Sequence, residues 1–75
     1  MHLKQGIEIT KFLQDVMNCQ DEVYFETPEG DLLALKSALS QYIFCSITNE
    51  ADILHKGMIR TQNQKDTKLL SEYCF

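Results

Sequence analysis

The feature that most constrains this fold is a pair of short alternating runs on either side of a turn. Val23 and Phe25 alternate with polar or aromatic neighbours before the turn, and Leu33 and Leu35 alternate with their own neighbours after it. Residues 27–31 read Thr-Pro-Glu-Gly-Asp, in which the proline presets φ for a turn and the glycine tolerates a positive φ. Because a period of two residues is typical of a strand, the runs predict an antiparallel hairpin.

Helical patterns lie on both sides of this hairpin. Apolar residues recur every three to four positions over residues 7–18, which predicts a first helix with Glu8 in its first turn, where the helix dipole favours an anion. Ser37 ends the second strand of the hairpin and is an N-cap residue type, so a second helix is expected over Ala38 to Ile47. Its expected core stripe is Leu39, Ile43 and Ile47.

The rest of the chain supplies further short elements. A leading strand fits before Gly6, residues 46–56 are a polar connection with a weak helical signal, and residues 58–62 predict a strand. Asn63 or Asp66 is expected to cap a last helix. The order β-α-β-β-α-β-α predicts one α+β domain of 75 residues, an open-faced sandwich in which three helices cover one face of a four-stranded antiparallel sheet.

Composition excludes several classes of partner and cofactor. Eleven acidic and seven basic residues give a net charge of −4, and the basic residues are scattered, so we expect no nucleic-acid partner. No apolar run approaches the roughly 20 residues that span a bilayer, and the first residues do not resemble a signal peptide. We therefore expect a cytoplasmic chain without a membrane partner. Three cysteines without a C-x-x-C motif predict buried or half-buried thiols, with no metal and no cofactor.

The sequence contains no recognisable catalytic constellation. It lacks a nucleotide-binding glycine loop and an H-E-x-x-H motif. Paired catalytic carboxylates would need a cleft that so small a domain rarely provides, so we expect no catalytic residues and no enzyme activity. The acidic residues near the hairpin are typical of a solvated strand edge and turn: Asp21, Glu22, Glu26, Glu29 and Asp31.

The element order and the run Leu35-Lys36-Ser37 between the hairpin and the second helix resemble the HPr phosphocarrier family of the bacterial sugar phosphotransferase system. The similarity extends from the first helix to the end of the chain and is specific mainly over residues 22–44. In that family the serine of this motif is a regulatory phosphorylation site, and Ser37 matches it. The added phosphate would lie beside the positive end of a helix dipole. The alternative is that Ser37 serves only as an N-cap, worth about 1 kcal/mol against alanine.

The resemblance fails at the residue that carries the phosphoryl group. The family's histidine lies at the start of the first helix, where this chain has Gln5 and Gly6, and neither can form a phosphohistidine. The arginine that follows it in the family is also missing, since Arg60 belongs to a distant element. His2 and His55 are expected to be solvated surface histidines.

The resemblance therefore implies a regulatory or binding protein. Apolar residues surround more of the second helix than one core stripe requires, so Leu39, Tyr42 and Phe44 are candidate partner-binding residues, unless residues 46–56 fold over them. The expected partners are phosphotransferase-system enzymes, an HPr kinase or a regulator, bound through the second helix and the start of the first, with Ser37 as a switch. Two alternatives are a phosphocarrier that uses His2, and an interaction module unrelated to sugar uptake.

Overall fold

Three short antiparallel strands form the only sheet in the described part of the chain, which comprises residues 1–75 apart from the side chain of Ala51 in this computed structural model. The strands lie in the order β2-β1-β3, with β1 in the centre. Phe25 in β1 is opposite Leu33 in β2 and Ile59 in β3, and these residues face the core. Their bounds are Tyr24–Glu26 (β1), Leu32–Ala34 (β2) and Met58–Arg60 (β3).

The predicted hairpin is confirmed by the pairing of β1 with β2. The backbone N–H of Thr27 donates to the carbonyl of Asp31 at 2.8 Å, and the N–H of Gly30 donates to the carbonyl of Thr27 at 2.9 Å. Gly30 has a φ of +96°, a conformation that residues with a Cβ rarely adopt. Gly30 therefore lies at the turn position where a residue that tolerates a positive φ was expected from the sequence.

The described residues also form four α-helices, where three were expected, and a final 3₁₀ turn. The helices are α1 (Ile9–Asn18), α2 (Ala38–Ile47), α3 (Ala51–Lys56) and α4 (Gln64–Leu70), and the turn is Ser71–Tyr73. None of the helices in the part of the chain described by the structure has the length and apolar character needed to cross a bilayer.

Aromatic rings connect the sheet to the helices. Phe44 of α2 packs edge to face against Phe25 of the sheet, with ring centroids 5.2 Å apart, and lies 5.9 Å from Phe12 of α1. Phe12 in turn meets Tyr73 edge to face at 5.3 Å. These contacts, each worth about 0.5–1.5 kcal/mol beyond area burial, join all layers into one core.

The expectation of a fourth strand is not met among the described residues. Met1 and Ile59 exchange both of their backbone hydrogen bonds, at 2.6 and 3.2 Å, and Leu3 forms an isolated bridge with Cys74. The chain turns away at Gly6, where φ is +77°, so this segment has too few residues to form a ladder with either neighbour.

The later elements differ from expectation at their boundaries. The connection over residues 46–56 contains α3, which buried Leu54 anchors to the core. Asn63 is the cap of α4: its side-chain oxygen accepts the backbone N–H of Asp66 at 2.8 Å. Glu8 is the N-cap residue of α1 rather than a member of its first turn, and its side chain makes no capping hydrogen bond.

Candidate partner-binding face of the second helix

The junction between the hairpin and α2 exposes Ser37. The N–H of Ser37 donates to the carbonyl of Ala34 at 2.9 Å, and its own carbonyl accepts the first helical bond, from Gln41, at 2.9 Å. Ser37 thus holds the predicted N-cap position, but its side chain makes no capping hydrogen bond. The hydroxyl lies on an exposed residue and is left available for other chemistry.

Apolar side chains cover the side of α2 that faces away from the core. Leu39, Tyr42 and Ile43 are 70%, 74% and 39% exposed. Together with exposed Ser46 they follow the spacing i, i+3, i+4 and i+7, which places them on one side of the helix. We call these four residues the α2 outer face. Leu39 and Tyr42 were predicted to face outward and do so.

Phe44 does not belong to this face. Its side chain is fully buried between Phe25 and Phe12, so the prediction that it contacts a partner is wrong. The expected core stripe is also wrong at Leu39 and Ile43. A ring as large as that of Phe44 buries more apolar area than either of them, and turning it toward the sheet rotates Leu39 and Ile43 outward.

The connection after α2 does not cover the outer face. Within it, α3 lies against α2, and its buried residue is Leu54. Leu39 and Tyr42 remain largely exposed in its presence. The alternative in which residues 46–56 bury this side of the helix is therefore wrong.

A shallow groove separates α2 from α1. It encloses about 240 Å³ and is lined by Thr10, Leu13, Gln14, Met17 and Gln41. The side-chain nitrogen of Gln41 donates to the carbonyl of Leu35 at 2.9 Å and contacts the sulfur of Met17 at 3.3 Å. Because ligand pockets usually enclose about 300–1,000 Å³, this groove suits one or two side chains of a protein partner better than a small molecule. Sequence reasoning missed Met17 and Gln41, which come together only in the folded chain.

Asp66 is the centre of a polar cluster at the other end of α1. It is 2% exposed, and its carboxylate accepts the backbone N–H groups of Gln20 and Asp21 at 2.9 and 3.0 Å and the side-chain amide of Asn63 at 2.9 Å. Burial alone would raise the pKa of Asp66, but these hydrogen bonds outweigh it and lower the pKa below its ordinary value. The carboxylate therefore ties the end of α1 to the start of α4.

The histidines serve the fold near the start of the chain. The Nδ1 atom of His2 lies 3.1 Å from the carbonyl oxygen of His55 and 2.9 Å from that of Gly57, so Nδ1 carries a proton and donates it. Nδ1 of His55 lies 3.3 Å from the carbonyl oxygen of Leu3. Both side chains are half-buried, which corrects the expectation of solvated histidines.

Gln5 and Gly6 are exposed where the family's histidine would stand. Neither offers an imidazole. Arg60, which was excluded as a phosphate ligand, forms an ion pair with Glu26 across the sheet.

The three cysteines are free thiols, of which Cys19 and Cys74 are buried and Cys45 is exposed. The expectation that all three are buried or half-buried is therefore wrong for Cys45, which lies on the surface of α2. Burial raises the pKa of Cys19 to about 11, with the nearby carboxylate of Asp66 adding to the effect. Burial also raises the pKa of Cys74. Over the described residues, no three His, Cys, Asp or Glu side chains are grouped in a way that could hold a metal ion.

Comparisons with protein-family models, with curated proteins and with solved structures find no match to this chain. The resemblance to HPr accordingly depends on the element order and on residues 22–44. Of these features, the hairpin and the helix that begins after Ser37 are present in the structure. The observed order of helices and strands, α-β-β-α-α-β-α, differs from the expected one.

Proposed function

We propose that this chain is a cytoplasmic HPr-like regulatory module, related to the bacterial sugar phosphotransferase system, that binds a protein partner through the α2 outer face. It acts by contact and not as a phosphohistidine carrier or an enzyme. The observation that carries the proposal is the exposure of Leu39 and Tyr42 on a helix whose core contact is already made by Phe44. The candidate partners are phosphotransferase-system enzymes, an HPr kinase or a regulator of sugar uptake.

The energetics of the face suit a modest, reversible complex. Full burial of a large apolar side chain is worth about 1.5–3 kcal/mol, so Leu39 and Tyr42 together offer at most about 3–6 kcal/mol, from which the cost of association is subtracted. Interfaces generally depend on a few such anchors surrounded by weaker contacts. The groove lined in part by Met17 and Gln41 lies between α1 and α2 and would give a partner side chain a second place to insert.

Ser37 supplies a means of regulation. Its hydroxyl is exposed and makes no capping bond, and no acidic residue lies in the first turn of α2. A phosphate there adds about −1.5 to −2 charges beside the positive end of the helix. Because Leu39 is only two residues further along, the added charge would change how a partner docks on the outer face.

The hydrogen bonds of His2 argue against a phosphoryl relay through this residue. Its Nδ1 atom already donates to two backbone carbonyls, and the ring is half-buried. A phosphoryl group on Nδ1 would break both hydrogen bonds and bring anionic oxygens against carbonyl oxygens. A relay would therefore have to disrupt the packing of the N-terminal segment.

A binding experiment with matched variants tests the proposal. The chain is titrated calorimetrically with the first enzyme of the phosphotransferase system, with HPr kinase and with sugar-uptake regulators. For the partner that binds, Leu39→Ser is expected to weaken the complex about tenfold, or about 1.4 kcal/mol. Leu32→Ser is the control, because Leu32 is 57% exposed but lies on β2. If Leu39→Ser and Leu32→Ser weaken the complex equally, the contact does not lie on the α2 outer face. If none of the components binds, an interaction module unrelated to sugar uptake becomes the better interpretation.

Mass measurement tests phosphorylation separately. With phosphoenolpyruvate and the first enzyme of the system, we expect the mass of the chain to remain unchanged. With ATP and HPr kinase, we expect one phosphoryl group, which Ser37→Ala removes. A phosphoryl adduct formed from phosphoenolpyruvate and abolished by His2→Ala would overturn the proposal in favour of the relay.

A further inference from the structure

The α2 outer face lies in the longest uncharged stretch of the chain. Residues 37–49 contain no Asp, Glu, Lys or Arg, although 24% of all residues are charged. The stretch is bordered by Lys36 on one side and Glu50 on the other. The charge that a docking partner meets at the edge of this face therefore depends on where these bordering side chains point.

Lys36 is turned into the molecule. Its ammonium group donates a 2.6 Å hydrogen bond to the carbonyl of Cys19, and the side chain is half-buried. The same ammonium helps to hold Asp66 in its anionic form. The positive charge of Lys36 thus lies between the end of α1 and the start of α4. It is not available to a partner that docks beside Leu39.

The other border is negative and exposed. Glu50 and Asp52 both face solvent, and the side chain of Glu50 makes no capping bond at the start of α3. The last turn of α2 contains no basic residue, so the partial negative charge of the helix C-terminus is not offset there. The net charge of −4 reinforces this local field.

We propose that the occupant of the α2 outer face is a protein segment with an apolar centre and Lys or Arg residues placed to meet Glu50 and Asp52. The inference deepens the proposed function and rests on it, because it names the chemistry of the partner at that site. A second copy of this chain fits less well, since it carries the same acidic border and its Lys36 is turned inward. Bringing two such faces together would place the carboxylates of the two borders near each other, which is unfavourable.

Two fluorescein-labelled amphipathic helical peptides serve as probes. They share one leucine face and differ only in the flanking residues, which are lysines in one peptide and glutamates in the other. In fluorescence anisotropy at low salt, the lysine peptide is expected to bind about tenfold more tightly, and added salt is expected to reduce this preference. Tyr42→Ala is expected to weaken both peptides.

Two double variants with the same change in net charge locate the effect. Glu50→Gln with Asp52→Asn is expected to reduce the preference to about threefold or less, because it removes the local carboxylates. Glu29→Gln with Asp31→Asn removes two exposed carboxylates from the hairpin turn and is expected to keep the preference. Circular dichroism of each variant verifies that the helices remain.

The remaining outcomes distinguish a failure of the charge preference from a failure of the docking face. Equal affinity for the two peptides, an equal loss in both double variants, or no binding of either peptide would overturn the inference. If Tyr42→Ala weakens both peptides while no charge substitution matters, the docking face stands and only its charge preference fails. Sedimentation velocity is expected to show a monomer, and a dimer abolished by Leu39→Ser would overturn the inference in favour of a second copy.

Discussion

Replacing Gly57 with alanine is expected to destabilise this fold although the backbone would accept alanine. Gly57 has φ −72° and ψ 169°, and Gly→Ala at such a position usually stabilises by about 0.4–1 kcal/mol through the unfolded state. Here a Cβ would clash with Cζ of Phe25 and would lie 2.8 Å from the carbonyl oxygen of Glu26. Phe25 is fully buried and held edge to face by Phe44, so its ring cannot move away freely.

The steric term should therefore exceed the entropic gain. Overpacking of this kind costs about 1–3 kcal/mol, and we expect a net loss of about 1–2 kcal/mol. For a domain of 75 residues, whose total stability is about 4–11 kcal/mol, this is a substantial fraction. The melting temperature should fall by roughly 4–8 °C for each kcal/mol.

Urea unfolding followed by far-ultraviolet circular dichroism measures the loss. The control is Phe25→Leu, which makes room at the site. In that background Gly57→Ala should cost less, so the two changes should show a coupling energy of at least about 0.5 kcal/mol. A loss below about 0.5 kcal/mol, or strict additivity of the two substitutions, would refute the claim that Gly57 packs directly against the ring of Phe25.

Three further predictions concern the core, the buried carboxylate and the thiols. Phe44→Ala should cost about 3–5 kcal/mol in urea unfolding and Tyr42→Ala less than about 0.5 kcal/mol, and similar costs would mean that α2 is oriented differently. The depressed pKa of Asp66 implies stability that is present above the pKa of the unfolded chain and is lost as the pH falls through the lower folded value, so Asp66→Asn should flatten the acid limb of stability against pH. An unchanged acid limb would show that the carboxylate is not held as an anion. One thiol, that of Cys45, should react quickly with a disulfide reagent while the other two react only on unfolding, and three fast thiols would contradict the burial of Cys19.

The parts of the fold that local chemistry determines could be predicted from the sequence. The hairpin follows from a period of two residues and from a turn in which Gly30 adopts positive φ. The start of α2 after Ser37 and the short strand Met58–Arg60 were also predicted, and both are present. In each case the signal lies within a few neighbouring residues, and the structure changes only the boundaries.

The parts that long-range contacts determine were missed. Whether the first residues form a strand depends on two distant partners. Met1 bonds to Ile59, whereas His2 and Lys4 bond to Phe75 and Tyr73 on either side of the bridge between Leu3 and Cys74. The role of Asp66 was predicted only as a helix cap, because its main hydrogen-bond donors are more than forty residues away. The apolar periodicity of a single segment does not indicate hydrogen-bond partners that lie so far away in the sequence.

The orientation of α2 is the miss that matters most for function. A helix that is apolar on most sides does not reveal by its pattern which side is buried. The choice is made by the ring of Phe44, which fills the space between Phe25 and Phe12, and half-buried Ile47 adds to the same contact. Once these residues satisfy the core, the fold needs nothing apolar at Leu39 or Tyr42. Polar residues there would leave the packing unchanged and would improve solubility, so the apolar character of Leu39 and Tyr42 supports the proposal that a partner covers this surface.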